Sequence, residues 1–176
     1  MTEAHGFRRT VSVSKIGDAG VRQTVTARAE ELPAIERYLE LAAAKALKGE
    51  FVLERWRGKG VQVTGTVVAD VVQTCVVTLD PVDAHVEASF ERQFLPPEKL
   101  RAETEDQKEV VIDPAAPDPP EPLGHEIDLG EILIEELALN LDPYPRKPGV
   151  AFEGEAQGEQ RPNPFAVLAK LKPKQP

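Results

Sequence analysis

The chain has 176 residues, a common size for one folded domain. It carries 21 Lys and Arg residues against 30 Asp and Glu residues, so its formal net charge at pH 7 is −9. This charge disfavours a general nucleic-acid coating protein, which needs cations to displace counterions from phosphates. One cysteine excludes an intramolecular disulfide framework. No apolar run approaches the roughly 20 residues of a membrane helix, and we expect a soluble, cytoplasmic protein.

The first half of the chain has the patterns of a sheet with one helix. Two strands, over 10–16 and 21–29, are expected on either side of a glycine-containing turn at 17–20. Apolar residues then recur at helical spacing and predict a helix that continues to Gly49. A short strand over 51–56 is expected to follow it.

Two longer strands give the clearest pattern in the sequence. From Val61 to Leu79 apolar residues alternate with polar ones, which predicts extended chain with one buried face. This run is much longer than a common strand of about 5–6 residues, so we expect a bend or bulge at Gly65. The chain turns at Asp80 and Pro81, and alternation resumes over 82–94 as the second strand of a β-hairpin.

Charge and proline distinguish the rest of the chain from this body. Residues 96–142 carry three basic and 14 acidic side chains, and 14 of the 16 prolines lie from Pro96 onward. Proline interrupts helices and central strands, so we expect an acidic, proline-rich loop over 96–123. Residues 143–176 carry six basic and three acidic side chains. We expect them to form a flexible tail with a short amphipathic segment.

A second helix is predicted near the end of the folded part, between Asp128 and Leu141. Asp128 suits the N-cap position, with Glu131 three residues later, and Pro143 ends the helix. The fold class is therefore α+β: an antiparallel sheet with one packed helix, a second C-terminal helix, and a flexible proline-rich linker and tail. We expect residues 1–142 to form a single domain.

Three segments form an ordered pattern: QTCVVTLDPV within 65–82, EIDLGEILIEELALNLDPYP over 126–145 and NPFAVLAKLK over 163–172. Together they resemble the signature segments of the YceD family, which is associated with the accumulation of large-subunit ribosomal RNA. Thr78 stands where many relatives carry the second cysteine of Cys-x-x-Cys, so no two-cysteine chemistry is carried over. The positions that carry the resemblance are Cys75, Leu79, Pro81, Leu129, Leu137, Pro164 and Phe165.

The resemblance implies a non-catalytic factor that supports large-subunit RNA synthesis, processing, stability or assembly. Its partners would be components of the large ribosomal subunit: a basic ribosomal protein, ribosomal RNA, or both. The resemblance supplies no catalytic mechanism, and we expect no cofactor, no DNA partner and no membrane partner.

The predicted second helix offers an acidic surface for such a partner. If its apolar residues pack on the sheet, Glu131, Glu135 and Glu136 are expected to remain exposed, near Asp128 at the start of the helix. Exposed acids of this kind favour contact with a basic protein. The simpler alternative is an ordinary amphipathic helix, and the two interpretations are compatible.

A cationic segment around Trp56 is a candidate RNA contact, with Arg55, Arg57 and Lys59 on one side of the strand and Trp56 on the other. The alternative, which we favour, is a solvated strand end with Trp56 in the core. In the tail, Lys170 and Lys172 would add a second cationic contact.

Cys75 lies on the apolar face of its strand and is expected to be a buried thiol that acts as a small hydrophobic residue. The three histidines show no metal-ligand spacing, so no metal site is expected. The alternative function is a small-ligand binder or enzyme that uses the polar strand face of Asp83, His85 and Glu87. No nucleophile motif or phosphate-binding loop accompanies that face.

Overall fold

The computed structural model describes residues 6–100 and 119–151. They form an α+β fold whose sheet is mostly antiparallel, which confirms the predicted fold class. Residues 101–118 of the predicted linker, and the tail from residue 152, lie outside the described residues. In chain order the elements are β1 (Thr10–Ser12), a 3-10 turn (Val13–Lys15), β2 (Val21–Thr26), α1 (Leu32–Tyr38), β3 (Ala43–Trp56), β4 (Gly60–Thr74), β5 (Pro81–Leu95), β6 (Glu121–Pro122), β7 (Glu126–Asp128) and α2 (Leu129–Asn140).

The main sheet has the strand order β2-β3-β4-β5-β6. Neighbouring strands are antiparallel except for the short parallel pair β5–β6. Strands β4 and β5 form the predicted hairpin, with pairing that runs from Val61 opposite Phe94 to Thr74 opposite Pro81. The chain then turns over Cys75–Asp80, so β4 ends five residues before the predicted end at Leu79.

The prediction of a helix that continues to Gly49 is wrong. Helix α1 ends at Tyr38, Glu40 adopts a φ of 54°, and the chain becomes strand β3 from Ala43. Leu47 and Gly49 also fit a period of two with the buried Phe51, so the apolar pattern was ambiguous. Pairing with β2 and β4 satisfies the backbone of β3 on both edges, which outweighs the helix propensity of its alanines.

The first predicted strand is shorter than expected and has a different partner. Strand β1 covers Thr10–Ser12 and pairs with β7, with Thr10 opposite Asp128, in a separate two-stranded sheet. The 3-10 turn replaces the rest of the predicted strand. Strand β2 instead pairs with β3. The N-terminal segment therefore contacts the start of α2 rather than forming a hairpin with β2.

The irregularity expected at Gly65 lies on the neighbouring strand. The register of β3 shifts between Ala44 and Ala46, whereas Gly65 pairs regularly with Phe51 and Phe90. A Cβ atom on Gly65 would lie 2.6 Å from the Phe90 ring. The missing side chain therefore lets Phe51 and Phe90 meet across β4, with ring centroids 5.6 Å apart in an edge-on arrangement.

Helix α2 packs on one face of the sheet and completes the core. Leu129, Leu133 and Leu137 are fully buried. Gly49 of β3 provides room for the helix, because a Cβ atom there would lie 2.6 Å from a methyl group of Leu133. The apolar face that alternation predicts for β4 forms the opposite wall, with Val61, Val63, Val67, Ala69 and Val71 buried. Within the described ranges, no helix has both the length and the apolar character needed to cross a membrane.

A substitution at Gly130 tests the close approach between α2 and the N-terminal segment. A Cβ atom on Gly130 would lie 2.4 Å from the carbonyl oxygen of Phe7. We expect Gly130→Ala to lower the free energy of unfolding by about 1–3 kcal/mol, although alanine alone favours a helix by about 1 kcal/mol over glycine. Gly17→Ala is the control, since nothing lies within 4 Å of its added Cβ atom. Urea denaturation measures both, and a more stable Gly130→Ala protein would contradict the packing.

Candidate interaction site

A cleft of about 250 Å³ lies between α2 and strands β6 and β7. We call it the acidic cleft, because five of the residues that line it carry carboxylates and Arg92 is the cation among them. Three of the four helix acids that the sequence predicts as a partner surface line this cleft, and Glu136 is the exception. The five carboxylate residues are Glu121, Glu126, Asp128, Glu131 and Glu135.

Arg92 of β5 joins the strands of the cleft to its helix. Its Nε donates to Glu121 Oε1 at 2.7 Å, and its Nη1 donates to the Glu135 carboxylate. Burial opposes the charge of Arg92, but the hydrogen bonds with Glu121 and Glu135 outweigh burial and raise the pKa of Arg92. Two of the five carboxylates, Glu121 and Glu135, are thus paired with Arg92.

The expectation that Glu136 is exposed is wrong. Glu136 is only 9% exposed, because it shares the inner face of α2 with Ile132 and Leu133, one turn before it. Its Oε1 lies 4.0 Å from Arg92 Nη1. Burial raises the pKa of Glu136, the charge of Arg92 lowers it, and the nearby Glu135 raises it further, with a net upward shift. Glu136 is therefore part of the packing beneath the cleft.

Asp128 is the N-cap of α2, as predicted. Its Oδ1 accepts from the backbone N–H of Gly130 at 2.9 Å and from that of Arg9 at 2.9 Å. Its Oδ2 accepts from Arg8 Nε at 2.9 Å. Burial would raise the pKa of Asp128, but these hydrogen bonds lower it below its ordinary value. The carboxylate thus fixes the helix start to the N-terminal segment.

Two carboxylates of the acidic cleft have no cationic partner among residues 6–100 and 119–151. Glu126 is exposed and Glu131 is half-buried, and neither forms an ion pair within the part of the chain that the structure describes. Asp128, Glu121 and Glu135 each serve an internal contact. Glu126 and Glu131 are therefore the acids of the cleft that are available to a cationic ligand.

Cations from the end of β3, the β3–β4 loop and the segment after β5 lie near Trp56. We call this group the cationic tip: Arg55, Arg57, Lys59 and Lys99. Trp56 is half-buried, so the favoured prediction that it lies in the core is wrong. Arg57 leaves the strand with a φ of 46°, and its guanidinium lies 4.4 Å from the Trp56 ring centroid. The prediction that Arg57 lies on the opposite side from Trp56 is therefore also wrong.

Sequence reasoning missed Lys99, which lies in the predicted linker. Its Nζ donates to the carbonyl oxygen of Arg57 at 2.7 Å. The proximity of two residues 42 positions apart follows from the β3–β4–β5 arrangement, and no local sequence signal indicates it. Lys170 and Lys172 of the tail lie outside the described residues.

On the polar face of β5, Asp83 and His85 each contact a side chain of another strand. Asp83 Oδ1 lies 2.5 Å from Nζ of Lys45 on β3, and His85 Nδ1 lies 2.7 Å from Oδ1 of Asp70 on β4. The hydrogen bond with Asp70 raises the pKa of His85. Both side chains thus form exposed ion-pair contacts across strands, and this geometry does not favour an acid–base pair.

The turn after β4 contacts the segment that follows α2. The backbone N–H of Val76 donates to the carbonyl oxygen of Pro145 at 2.9 Å, and that of Lys147 donates to Cys75 Sγ at 3.4 Å. Gln73 Nε2 donates to the Asp142 carbonyl oxygen at 2.9 Å. The first residues of the predicted tail are thus hydrogen-bonded to the turn. Two of the three sequence segments that resemble the YceD family meet at this point.

Cys75 is fully buried, as predicted, but it is more than a small hydrophobic residue. The nearby Thr78 hydroxyl and the backbone N–H of Lys147 favour the thiolate and lower the pKa of Cys75 to about 6. Among residues 6–100 and 119–151, no group of three or more His, Cys, Asp or Glu side chains is placed to hold a metal ion.

The remaining positions of the family resemblance divide between the turn and the core. Leu79 and Pro81 lie at the turn, where Leu79 is 77% exposed and has a φ of 60°. Leu129 and Leu137 are fully buried in α2. Pro164 and Phe165 lie outside the described residues. Among the described positions of this set, Leu79 and Pro81 at the turn are thus exposed to solvent, whereas Cys75, Leu129 and Leu137 are buried.

Substitution of Glu136 tests the cost of its buried charge. Because its folded pKa is raised above the unfolded value, the carboxyl stabilises the fold below the unfolded pKa and loses that contribution as pH rises through the folded pKa. We expect Glu136→Gln to raise the free energy of unfolding at neutral pH and to change it little below the ordinary glutamate pKa. Urea unfolding across this range measures it, with the exposed Glu87→Gln as control. A less stable Glu136→Gln protein at neutral pH would rule out a net cost of the charge.

The single cysteine allows a direct titration of Cys75 by ultraviolet absorbance of the thiolate. We expect a midpoint at about pH 6 in the folded protein and a higher midpoint for Thr78→Val. Since the folded pKa is depressed, the thiolate contributes stability above the unfolded thiol pKa, and this contribution is lost as pH falls through the folded value. Thr74→Val, at an exposed threonine, should leave the midpoint unchanged. Equal midpoints in all three proteins would refute the role of the Thr78 hydroxyl.

The comparison with protein families confirms the resemblance seen in the sequence. The model of the family described as "Large ribosomal RNA subunit accumulation protein YceD" matches residues 63–172, which is more than half of the chain. The matched residues include most of β4, all of β5, the turn that holds Cys75, and α2. No curated protein and no solved structure matches the chain. The chain belongs to the YceD family of large ribosomal RNA subunit accumulation proteins.

Proposed function

We propose that this protein supports the accumulation of large-subunit ribosomal RNA in the cytoplasm by binding a basic ribosomal protein, without a catalytic step. The family match over residues 63–172 carries the proposal. Those residues include Arg92 and all five carboxylate residues of the acidic cleft. The segment shared with the family is thus the segment that builds the proposed binding site.

The acidic cleft has the chemistry to receive a lysine or arginine side chain. Glu126 and Glu131 supply two carboxylates without internal ion pairs among the described residues, and Glu135 keeps about half of its side chain exposed. Arg92 compensates the charge of Glu121 and Glu135 at the base of the cleft. Glu126 and Glu131 are therefore the carboxylates left to pair with a cationic side chain that enters.

The segment that precedes Glu121 in the sequence adds to the negative charge of this part of the chain. Residues 101–118 carry six acidic and two basic side chains, and the chain re-enters the described part shortly before Glu121. A concentration of negative charge accelerates encounter with a basic partner, and the acceleration decreases with salt. Many ribosomal RNA-binding proteins are cationic because they bind phosphate, so a large-subunit protein fits the charge of this surface.

The double substitution Glu126→Gln/Glu131→Gln tests the cleft in the full chain. The probe is the mixture of proteins extracted from purified large ribosomal subunits, captured on the immobilised chain. We expect at least one basic protein to bind about tenfold more weakly to the variant, since two charge contacts are lost. The matched control is Glu87→Gln/Glu91→Gln, which makes the same charge change on β5. The assignment to the cleft would be overturned if both variants weakened the binding of basic proteins equally, or if neither variant weakened it.

Depletion of the protein in cells tests the role itself. Sucrose gradients and the ratio of large- to small-subunit RNA give the readout. A selective shortage of large subunits is expected, with recovery by the normal chain and by the control variant but not by the cleft variant. An unchanged ratio would contradict the proposed function.

A further inference from the structure

The cationic tip concentrates positive charge at one end of an acidic chain. Its four cations come from the end of β3, the β3–β4 turn and the segment after β5. Arg55, Lys59 and Lys99 are exposed, and none of these three forms an ion pair within the described part of the chain. The tip is therefore a place where an anion can approach a protein whose net charge is −9.

Contacts within the tip hold its central cation in place. Arg57 has a φ of 46° and is followed by Gly58 with a φ of 82°. This left-handed conformation directs the Arg57 guanidinium over the Trp56 ring at 4.4 Å. The hydrogen bond from Lys99 Nζ to the Arg57 carbonyl oxygen also holds the turn. A planar guanidinium and an indole are thus already stacked in the free protein.

This combination matches the chemistry of a single-stranded nucleic acid. Cations that flank an aromatic ring can bind successive phosphates while a base stacks on the exposed part of the ring or on the guanidinium. An acidic protein could form ion pairs with these cations, but its carboxylates would not stack on the half-buried Trp56. We propose that the cationic tip, centred on Arg57 and Trp56, is a contact site for a single-stranded segment of RNA. The choice of RNA over DNA rests on the proposed function.

The tip contains its own reporter, because Trp56 is the single tryptophan of the chain. The probe is a mixed-sequence single-stranded RNA of about 12 nucleotides, within the site sizes of single-strand binders. We expect this RNA to change the tryptophan fluorescence of the full chain at low salt, and added salt to reverse the change. Binding that leaves Trp56 fluorescence unchanged would overturn the proposal, as would the absence of binding at low salt.

Two charge-matched variants separate a local site from a general effect of net charge. Arg55→Gln/Lys59→Gln removes two cations of the tip, and Lys45→Gln/Lys48→Gln removes two exposed cations from the other half of β3. We expect the tip variant to bind RNA about tenfold more weakly and to lower the slope of log K against log salt by about 1.4, or 0.7 for each phosphate contact. For the β3 variant, we expect the decrease in log K for RNA binding to be less than half of the decrease in the tip variant.

Equal decreases in RNA affinity in the two variants would contradict a binding site at the tip. The capture of ribosomal proteins distinguishes this failure from a failure of the proposed function. If the tip variant still captures ribosomal proteins and both charge variants lose RNA affinity equally, only the RNA inference fails. If the cleft variant retains capture while the tip variant loses RNA binding, the protein-binding proposal fails and the RNA inference stands.

Discussion

The packing of α2 against the long strands is the contact on which both walls of the acidic cleft depend. Leu133 occupies the space that Gly49 leaves on β3, and Arg92 of β5 links the sheet to Glu135 of the helix. Asp128 fixes the start of α2 to the N-terminal segment through Arg9. Apolar packing therefore holds α2 against the sheet, and polar contacts hold it at Asp128 and at Glu135.

This packing also explains why charged residues of one helix have different roles. Glu136 is drawn into the interior because it lies one turn from the buried Ile132 and Leu133, and its pKa rises as a result. Glu135, next to it in sequence, reaches Arg92 from the outer side, and Glu131 remains without an internal cation among the described residues. The side of the helix on which a carboxylate lies thus decides whether it supports the fold or is open to a ligand.

The sequence predicted the features that depend on local patterns. The alternation of apolar and polar residues from Val61 onward predicted the β4–β5 hairpin, and Asp128 predicted the start of α2. The helix after Leu32 was over-extended because Leu47 fits both a helical and an extended period, and only pairing with two neighbours decides between them. The burial of Glu136 and the position of Lys99 beside Arg57 depend on tertiary contacts. No pattern within one segment contains that information.

The length of β4 separates the ends of the molecule. From Gly60 to Thr74 it extends about 46 Å, in 14 steps of roughly 3.3 Å each. The cationic tip lies at its first residue, Gly60, and the turn that contains Cys75 follows its last residue, Thr74. The strand thus separates the cationic tip from the turn that contains Cys75. Arg92 pairs opposite Val63 near the start of β4, so the acidic cleft also lies at the tip end of the strand, and a ligand bound at either site is remote from Cys75.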